Sequence, residues 1–140
     1  MLGKQMPGLG VEKLLDHSMT GAFLMRTYGA EKRLTVGDTA EHAQKNTRSF
    51  CMTHGRLLES EPLGEKAHLA AMLDGWNDVN PTVLLVNFGE KGGMTELWLR
   101  AYSKEGMQKQ HSAERAVALL EDFLTGSDGV LDAILREFEL

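Results

Sequence analysis

Hydrophobic residues recur at intervals of three and four along much of the chain, which is the spacing of helices with one buried face. After a flexible lead-in over residues 1–8, this spacing predicts one helix from residue 9 to about 28 and a second from 38 to about 59. The second begins at a capping box, in which Asp38 is followed three residues later by Glu41. Three further helices are predicted: one over 62–76, one over 112–126 with Ser112 as its cap, and one over 127–138.

The middle of the chain has a different period. Residues 82–88 are rich in β-branched and aromatic side chains, residues 95–102 alternate, and the glycine-rich segment 89–93 between them predicts a β-hairpin. Residues 31–37 fit either a strand or a loop; a third strand is favoured because an isolated hairpin is only marginally stable. The alternation gives the second hairpin strand two faces. The inward face carries Leu97, Leu99 and Ala101, and the outward face carries Glu96, Trp98, Arg100 and Tyr102.

These elements predict an α+β fold in one domain, residues 1–140. A small antiparallel sheet built on the hairpin 82–88 and 95–102 would pack on one face against four to five amphipathic helices. Of the 140 residues, 42% are hydrophobic and 25% charged, which is ordinary for a folded domain and excludes disorder of the whole chain. No apolar run reaches transmembrane length and the N-terminus lacks a signal-peptide core, so a cytoplasmic bacterial protein is expected.

The charge is acidic overall and unevenly distributed. The net charge is −5, and the surplus of Asp and Glu lies after residue 60. Nucleic-acid and anionic-membrane partners require clustered Lys and Arg, and the run Glu31-Lys32-Arg33 is too short to supply them. The charge therefore disfavours those two partners and is compatible with a basic protein partner.

Five histidines raise the question of a metal site. Asp38 and His42 share one helical face, and Glu65 and His68 have the Glu-x-x-His spacing of helical di-metal centres, which need that motif twice. The motif occurs only once here, so no metal or cofactor is expected. The alternative is a metal site that uses some of Asp38, His42, Glu65 and His68 as ligands. No phosphate-binding glycine motif or nucleophile elbow occurs.

The single cysteine, Cys51, lies on the apolar stripe of the second predicted helix. His54 is three residues further along the same face and could activate it. Since both residues belong to the apolar stripe, a structural cysteine that reacts slowly with thiol reagents is expected.

No convergent catalytic set is present, and we therefore expect a non-enzymatic protein–protein interaction module. The classes that fit are an adaptor, a chaperone, an inhibitor or an immunity-type regulator. A homodimer is a further expectation, and it would form through the hairpin edge if residues 31–37 do not supply a third strand. The first interpretation of Trp98 is that it packs beneath a helix, because a small core with few aromatic residues uses its tryptophans internally. The second is an interface, since aromatic residues beside arginine are typical of interface centres; the predicted partner-binding residues are then Trp98, Arg100 and Tyr102, with the acidic C-terminal helix as a rim. The alternatives are an enzyme that uses a metal or a small molecule, and a small-ligand sensor with a pocket between sheet and helices.

Overall fold

A five-stranded antiparallel sheet with strand order β1-β5-β4-β3-β2 organises the protein. The computed structural model describes residues 8–19, 21, 25–74, 80–106 and 110–126. The strands are β1 (Arg26–Val36), β2 (Gly55–Leu58), β3 (Leu69–Leu73), β4 (Thr82–Lys91) and β5 (Met94–Glu105). The helices are α1 (Leu9–Ser18), α2 (Ala40–His54), α3 (Ser112–Leu124) and a short 3₁₀ helix (Glu61–Leu63). Among these, no helix is long and apolar enough to cross a membrane.

The predicted hairpin is confirmed, with longer strands than the sequence indicated. The strands β4 and β5 pair from Thr82 opposite Ser103 to Lys91 opposite Met94. Only Gly92 and Gly93 form the turn, with φ angles of 60° and 81°. A two-residue turn with two positive φ angles matches the right-handed twist of the strands and favours glycine.

The third strand is also confirmed, and it is longer than residues 31–37. The strand β1 pairs with β5 along its whole length, from Arg26 opposite Glu105 to Val36 opposite Thr95. The first predicted helix is therefore too long, because α1 ends at Ser18. The ladder with β5 outweighs the local helical spacing in residues 26–28.

The predicted helix over 62–76 is wrong. Its centre is β3, which lies between β2 and β4 with all five residues buried. A strand buried on both faces shows no alternation, so periodicity cannot distinguish its apolar run from part of a helix. Trp76 lies outside the described residues.

The helix α2 ends earlier than predicted because Gly55 begins β2. An ideal Cβ on Gly55 would lie 1.8 Å from the carbonyl oxygen of Met72 on β3. Only a glycine allows the two backbones to approach so closely. At the other end, Thr39 rather than Asp38 is the cap, and its Oγ1 accepts a hydrogen bond from the backbone nitrogen of His42 at 3.1 Å.

Helices cover both faces of the sheet, which corrects the expectation of a single covered face. The described ranges contain three α-helices rather than four to five, and the predicted C-terminal helix lies outside them. One core lies between the sheet and α2 with α3, and includes Phe50, Leu73, Leu84, Leu97, Leu99 and Leu120. The second lies beneath α1 and the 3₁₀ helix, and includes Val11, Leu15, Met72, Val83, Leu85 and Tyr102.

The start of α3 is held by a side chain from β5. Ser112 does not cap the helix as predicted; the capping position is His111, in the left-handed region at φ 55° with no side-chain cap. Instead Glu105 accepts hydrogen bonds from the backbone nitrogens of Gln110 (2.6 Å), His111 (3.1 Å) and Ser112 (3.3 Å). The acid thus satisfies amide groups that the first turn of a helix leaves unpaired.

Candidate interaction site around Trp98

Part of the sheet face that carries α1 is left open by the described helices. The helix α1 and the 3₁₀ helix cover the region of Tyr102, while the region towards the β4–β5 turn carries outward side chains with none of the described helices above them. A cavity of about 320 Å³ lies there. We call this surface the Trp98 platform, formed by Glu31, Arg33, Thr35, Asn87, Glu96 and Trp98.

Trp98 is half-buried and its indole ring is held from several sides. It lies opposite Arg33 of β1 and Asn87 of β4 in the sheet. Its Nε1 donates a hydrogen bond to Oε2 of Glu31 at 2.5 Å, and the Arg33 guanidinium carbon lies 4.5 Å from the ring centroid. The indole is therefore held in one orientation, which would lower the entropic cost of using it as a binding contact.

Arg100 lies beneath this surface and supports it. Its guanidinium carbon is 4.2 Å from the Trp98 ring centroid, and its side chain is 8% exposed. Its Nη1 pairs with Glu65 at 3.3 Å, and its Nη2 donates to Oδ1 of Asn87 at 3.0 Å and to the carbonyl of Lys66 at 3.2 Å. A buried arginine bonded in this way orders Trp98 but is not itself available to a partner.

Tyr102, the third predicted contact residue, belongs to the core beneath α1. It is 4% exposed and packs in the same cluster as Val11 and Leu15 of that helix. Burial raises the pKa of its phenol. Of the three predicted partner-binding residues, only Trp98 presents accessible surface, because a shared sheet face does not imply shared exposure.

An ion-pair cluster fastens α1 over this part of the sheet. The ammonium of Lys104 lies 2.6 Å from a carboxylate oxygen of Glu12 and 3.3 Å from one of Asp16. Burial opposes charge on both Lys104 and Glu12, but their hydrogen bonds outweigh it, so the pKa of Lys104 is raised and that of Glu12 is lowered. Thr27 of β1 also donates to Glu12 at 2.8 Å.

The four residues of the metal alternative have other partners. Asp38 and His42 form the expected contact at the start of α2. Glu65 pairs with Arg100, and Nδ1 of His68 accepts a hydrogen bond from the backbone nitrogen of Phe88 at 2.9 Å. Within the part of the chain that the structure describes, no three His, Cys, Asp or Glu side chains converge as metal ligands do.

Cys51 is fully buried against the α2–α3 face of the sheet, as its place in the apolar stripe indicated. Burial raises the pKa of its thiol to about 12. The His54 ring packs on Phe50, with 4.5 Å between the centroids. A thiol with this pKa is protonated at neutral pH and is a poor nucleophile.

A larger cavity of about 640 Å³ lies at the opposite edge of the sheet, beside β2, β3 and the 3₁₀ helix. Its size falls in the range of small-molecule sites. Leu57, Leu69 and Ala70 form apolar parts of its wall, while Arg48 and Glu59 supply charge. This cavity lies at a sheet edge, whereas the expected sensor pocket lay between sheet and helices.

Two platform residues, Glu31 and Arg33, belong to the short charged run Glu31-Lys32-Arg33, whose composition alone does not indicate a site. The signal that locates them is the alternation of a strand: with period two, Glu31 and Arg33 share one face and Lys32 takes the other. The structure shows this division, since Lys32 pairs with Glu121 of α3 at 3.4 Å. Their proximity to Trp98 depends on the β1–β5 register, which a single sequence does not reveal.

Comparison of the chain with protein-family models, with curated proteins and with solved structures gives no match in any of the three.

Proposed function

We propose that this protein is a non-enzymatic protein–protein interaction module that binds its partner on the Trp98 platform. The observation that carries the proposal is a half-exposed tryptophan held by Glu31, Arg33 and Arg100 on a part of the sheet that no described helix covers. Large aromatic side chains with restricted rotamers dominate the energetics of protein interfaces. Such a module would act as an adaptor, a chaperone, an inhibitor or an immunity-type regulator.

The charge of the platform supports a partner with basic character. Glu31 and Glu96 contribute two carboxylates and Arg33 one cation, on a chain of net charge −5. An acidic field increases the association rate of a basic partner and decays with salt. The partner would place an apolar side chain against the accessible part of the indole, with neighbouring lysines or arginines near the two glutamates.

The proposal is tested by parallel affinity capture with three proteins: the wild type, Trp98→Ala and the control Met52→Ala. Met52 is 63% exposed on α2, outside the platform. A partner bound by the wild type and the control and lost with Trp98→Ala supports the proposal. With that partner purified, titration calorimetry should show at least about tenfold weaker binding for Trp98→Ala.

Two results count against the platform as the binding surface. One is a partner that is retained equally by Trp98→Ala. The other is loss of binding by Met52→Ala to the same degree. Circular dichroism and urea unfolding of each variant exclude loss of the fold as the cause.

The larger cavity favours a second candidate function, a small-ligand sensor. Its volume of about 640 Å³ would hold a drug-sized molecule. Native mass spectrometry of protein purified from its source should then show a bound mass that disappears on denaturation. A spectrum of unliganded protein alone would remove the support for this candidate and would leave the platform proposal unaffected.

A further inference from the structure

The strand β1 forms one edge of the sheet and pairs with β5 on one side only. It is eleven residues long, and within the described ranges no strand lies along its other side. A long unpaired edge invites pairing with another strand, and proteins commonly protect such edges with charges, particularly lysine. The charges at the centre of β1 are of mixed sign, and their order suggests a different role.

We propose that β1 pairs with β1 of a second copy of the chain, antiparallel, across a twofold axis that passes beside Lys32. The two five-stranded sheets would then join into one continuous sheet. In this register Glu31 lies directly opposite Arg33 of the second copy, and Arg33 opposite Glu31. Opposite charges in directly facing positions stabilise an antiparallel pair.

On the other face of the strand, the residues that flank Lys32 form apolar pairs in this register. Ala30 would lie opposite Leu34 of the second copy, and Tyr28 opposite Val36, each pair occurring twice. Ala30 and Leu34 are partly buried and already pack against the α2–α3 core. The apolar pairs would therefore extend that core across the interface.

Neighbouring registers lack this match. A twofold axis perpendicular to the sheet keeps facing side chains on the same face, so the register can shift only in steps of two residues. One such shift places Glu31 opposite Glu31, and the other places Arg33 opposite Arg33. In the proposed register the only like-charged pair is Lys32 with itself, and each Lys32 already has Glu121 of α3 as a counter-ion at 3.4 Å.

The second copy would also contribute to the Trp98 platform. Glu31 uses Oε2 to accept the hydrogen bond from Trp98, and a carboxylate has further acceptor positions for an arginine. Arg33 of the second copy would thus help to fix the carboxylate that holds the indole. Two platforms would lie side by side on one face of the dimer.

The test uses charge reversal and sedimentation equilibrium over low to high micromolar concentrations. The wild type should be a dimer, and Glu31→Arg and Arg33→Glu should each weaken dimerisation at least about tenfold, since each places like charges opposite each other twice. An equimolar mixture of the two variants should form a heterodimer, because every facing pair is then opposite in charge. The double variant carrying both changes should dimerise again.

A cysteine at the symmetry axis tests the register itself. Lys32→Cys would face its own copy at a distance that permits a disulfide, whereas Thr35→Cys would face Gly29 and should not cross-link. Since Cys51 is buried, it does not compete. A monomeric wild type at all concentrations, a dimer unaffected by both single reversals, or equal cross-linking at 32 and 35 would each overturn the proposal. Circular dichroism confirms that each variant is folded, and Trp98→Ala should remain dimeric, which separates this test from that of partner binding.

Discussion

Replacement of Glu105 by glutamine should strongly destabilise the protein, although the two side chains have nearly the same size and shape. Glu105 is 4% exposed, and its two oxygens accept hydrogen bonds from three backbone amides at the start of α3. The hydroxyl of Ser103 donates a further bond at 3.0 Å. These contacts outweigh the effect of burial and lower the pKa of Glu105 below its ordinary value of 4.5.

The magnitude follows from what glutamine can no longer accept. An amide NH2 group replaces one carboxylate oxygen, so a buried backbone amide such as that of Ser112 is left facing a donor, at a cost of about 1–3 kcal/mol. The two backbone bonds to the remaining oxygen change from charge-assisted to neutral, with a loss of about 1 kcal/mol each. We expect the free energy of unfolding of Glu105→Gln to fall by about 3–5 kcal/mol in total. The exposed Glu96 on the same strand provides a control, and Glu96→Gln should change stability by less than about 0.5 kcal/mol.

The assay is urea unfolding of the three proteins as a function of pH. Because the folded-state pKa of Glu105 is lowered, its stabilising effect is complete above pH 4.5 and is lost as pH falls through the folded pKa. The difference between wild type and Glu105→Gln should therefore be largest at neutral pH and shrink in acid. A difference below about 0.5 kcal/mol at pH 7, or one that does not change between pH 7 and acid, would refute the assignment of Glu105 as the cap of α3.

Three further outcomes are expected. Because Cys51 is buried and its pKa is raised to about 12, it should react with a thiol reagent at least about a hundredfold more slowly in the native state than in urea. Labelling followed by ultraviolet absorbance measures the two rates, and comparable rates would contradict the burial of Cys51. Gly55→Ala should lower the free energy of unfolding by more than about 2 kcal/mol because its Cβ would meet the Met72 carbonyl, whereas Gly89→Ala, with open space around it, should be tolerated. Equal effects of the two variants in urea unfolding would be inconsistent with the close approach of Gly55 to Met72. Lys104→Met should lower the free energy of unfolding by about 1–2 kcal/mol at pH 7, and because the pKa of Lys104 is raised above 10.5, the difference from the wild type should decline only above that pH. A difference that is already lost at pH 8 would argue against the ion pairs with α1.

The parts of the fold that the sequence predicted are those with a complete local signature. The β4–β5 hairpin combines a period of two with Gly92 and Gly93 at its turn, and both features act within a few residues. Residues 69–73 carry no such signature, because a strand that is buried on both faces is a continuous apolar run that also fits a helix. The start of α3 depends on a residue outside the helix: Ser112 has the residue type of a cap, but Glu105 at the end of β5 accepts the hydrogen bonds from the amides.

The candidate site shows the same division between local pattern and tertiary arrangement. Alternation correctly places Trp98 and Tyr102 on one face, yet the first is half-exposed and the second buried. The helix α1 has ten residues and is about 15 Å long, and it is fastened at Lys104 through its central residues. It therefore extends only about 7 Å to either side of that anchor, whereas Trp98 lies six residues, or about 20 Å, along β5. The length and anchoring of α1 thus decide which aromatic side chain stays accessible, and neither can be predicted from the sequence of β5 itself.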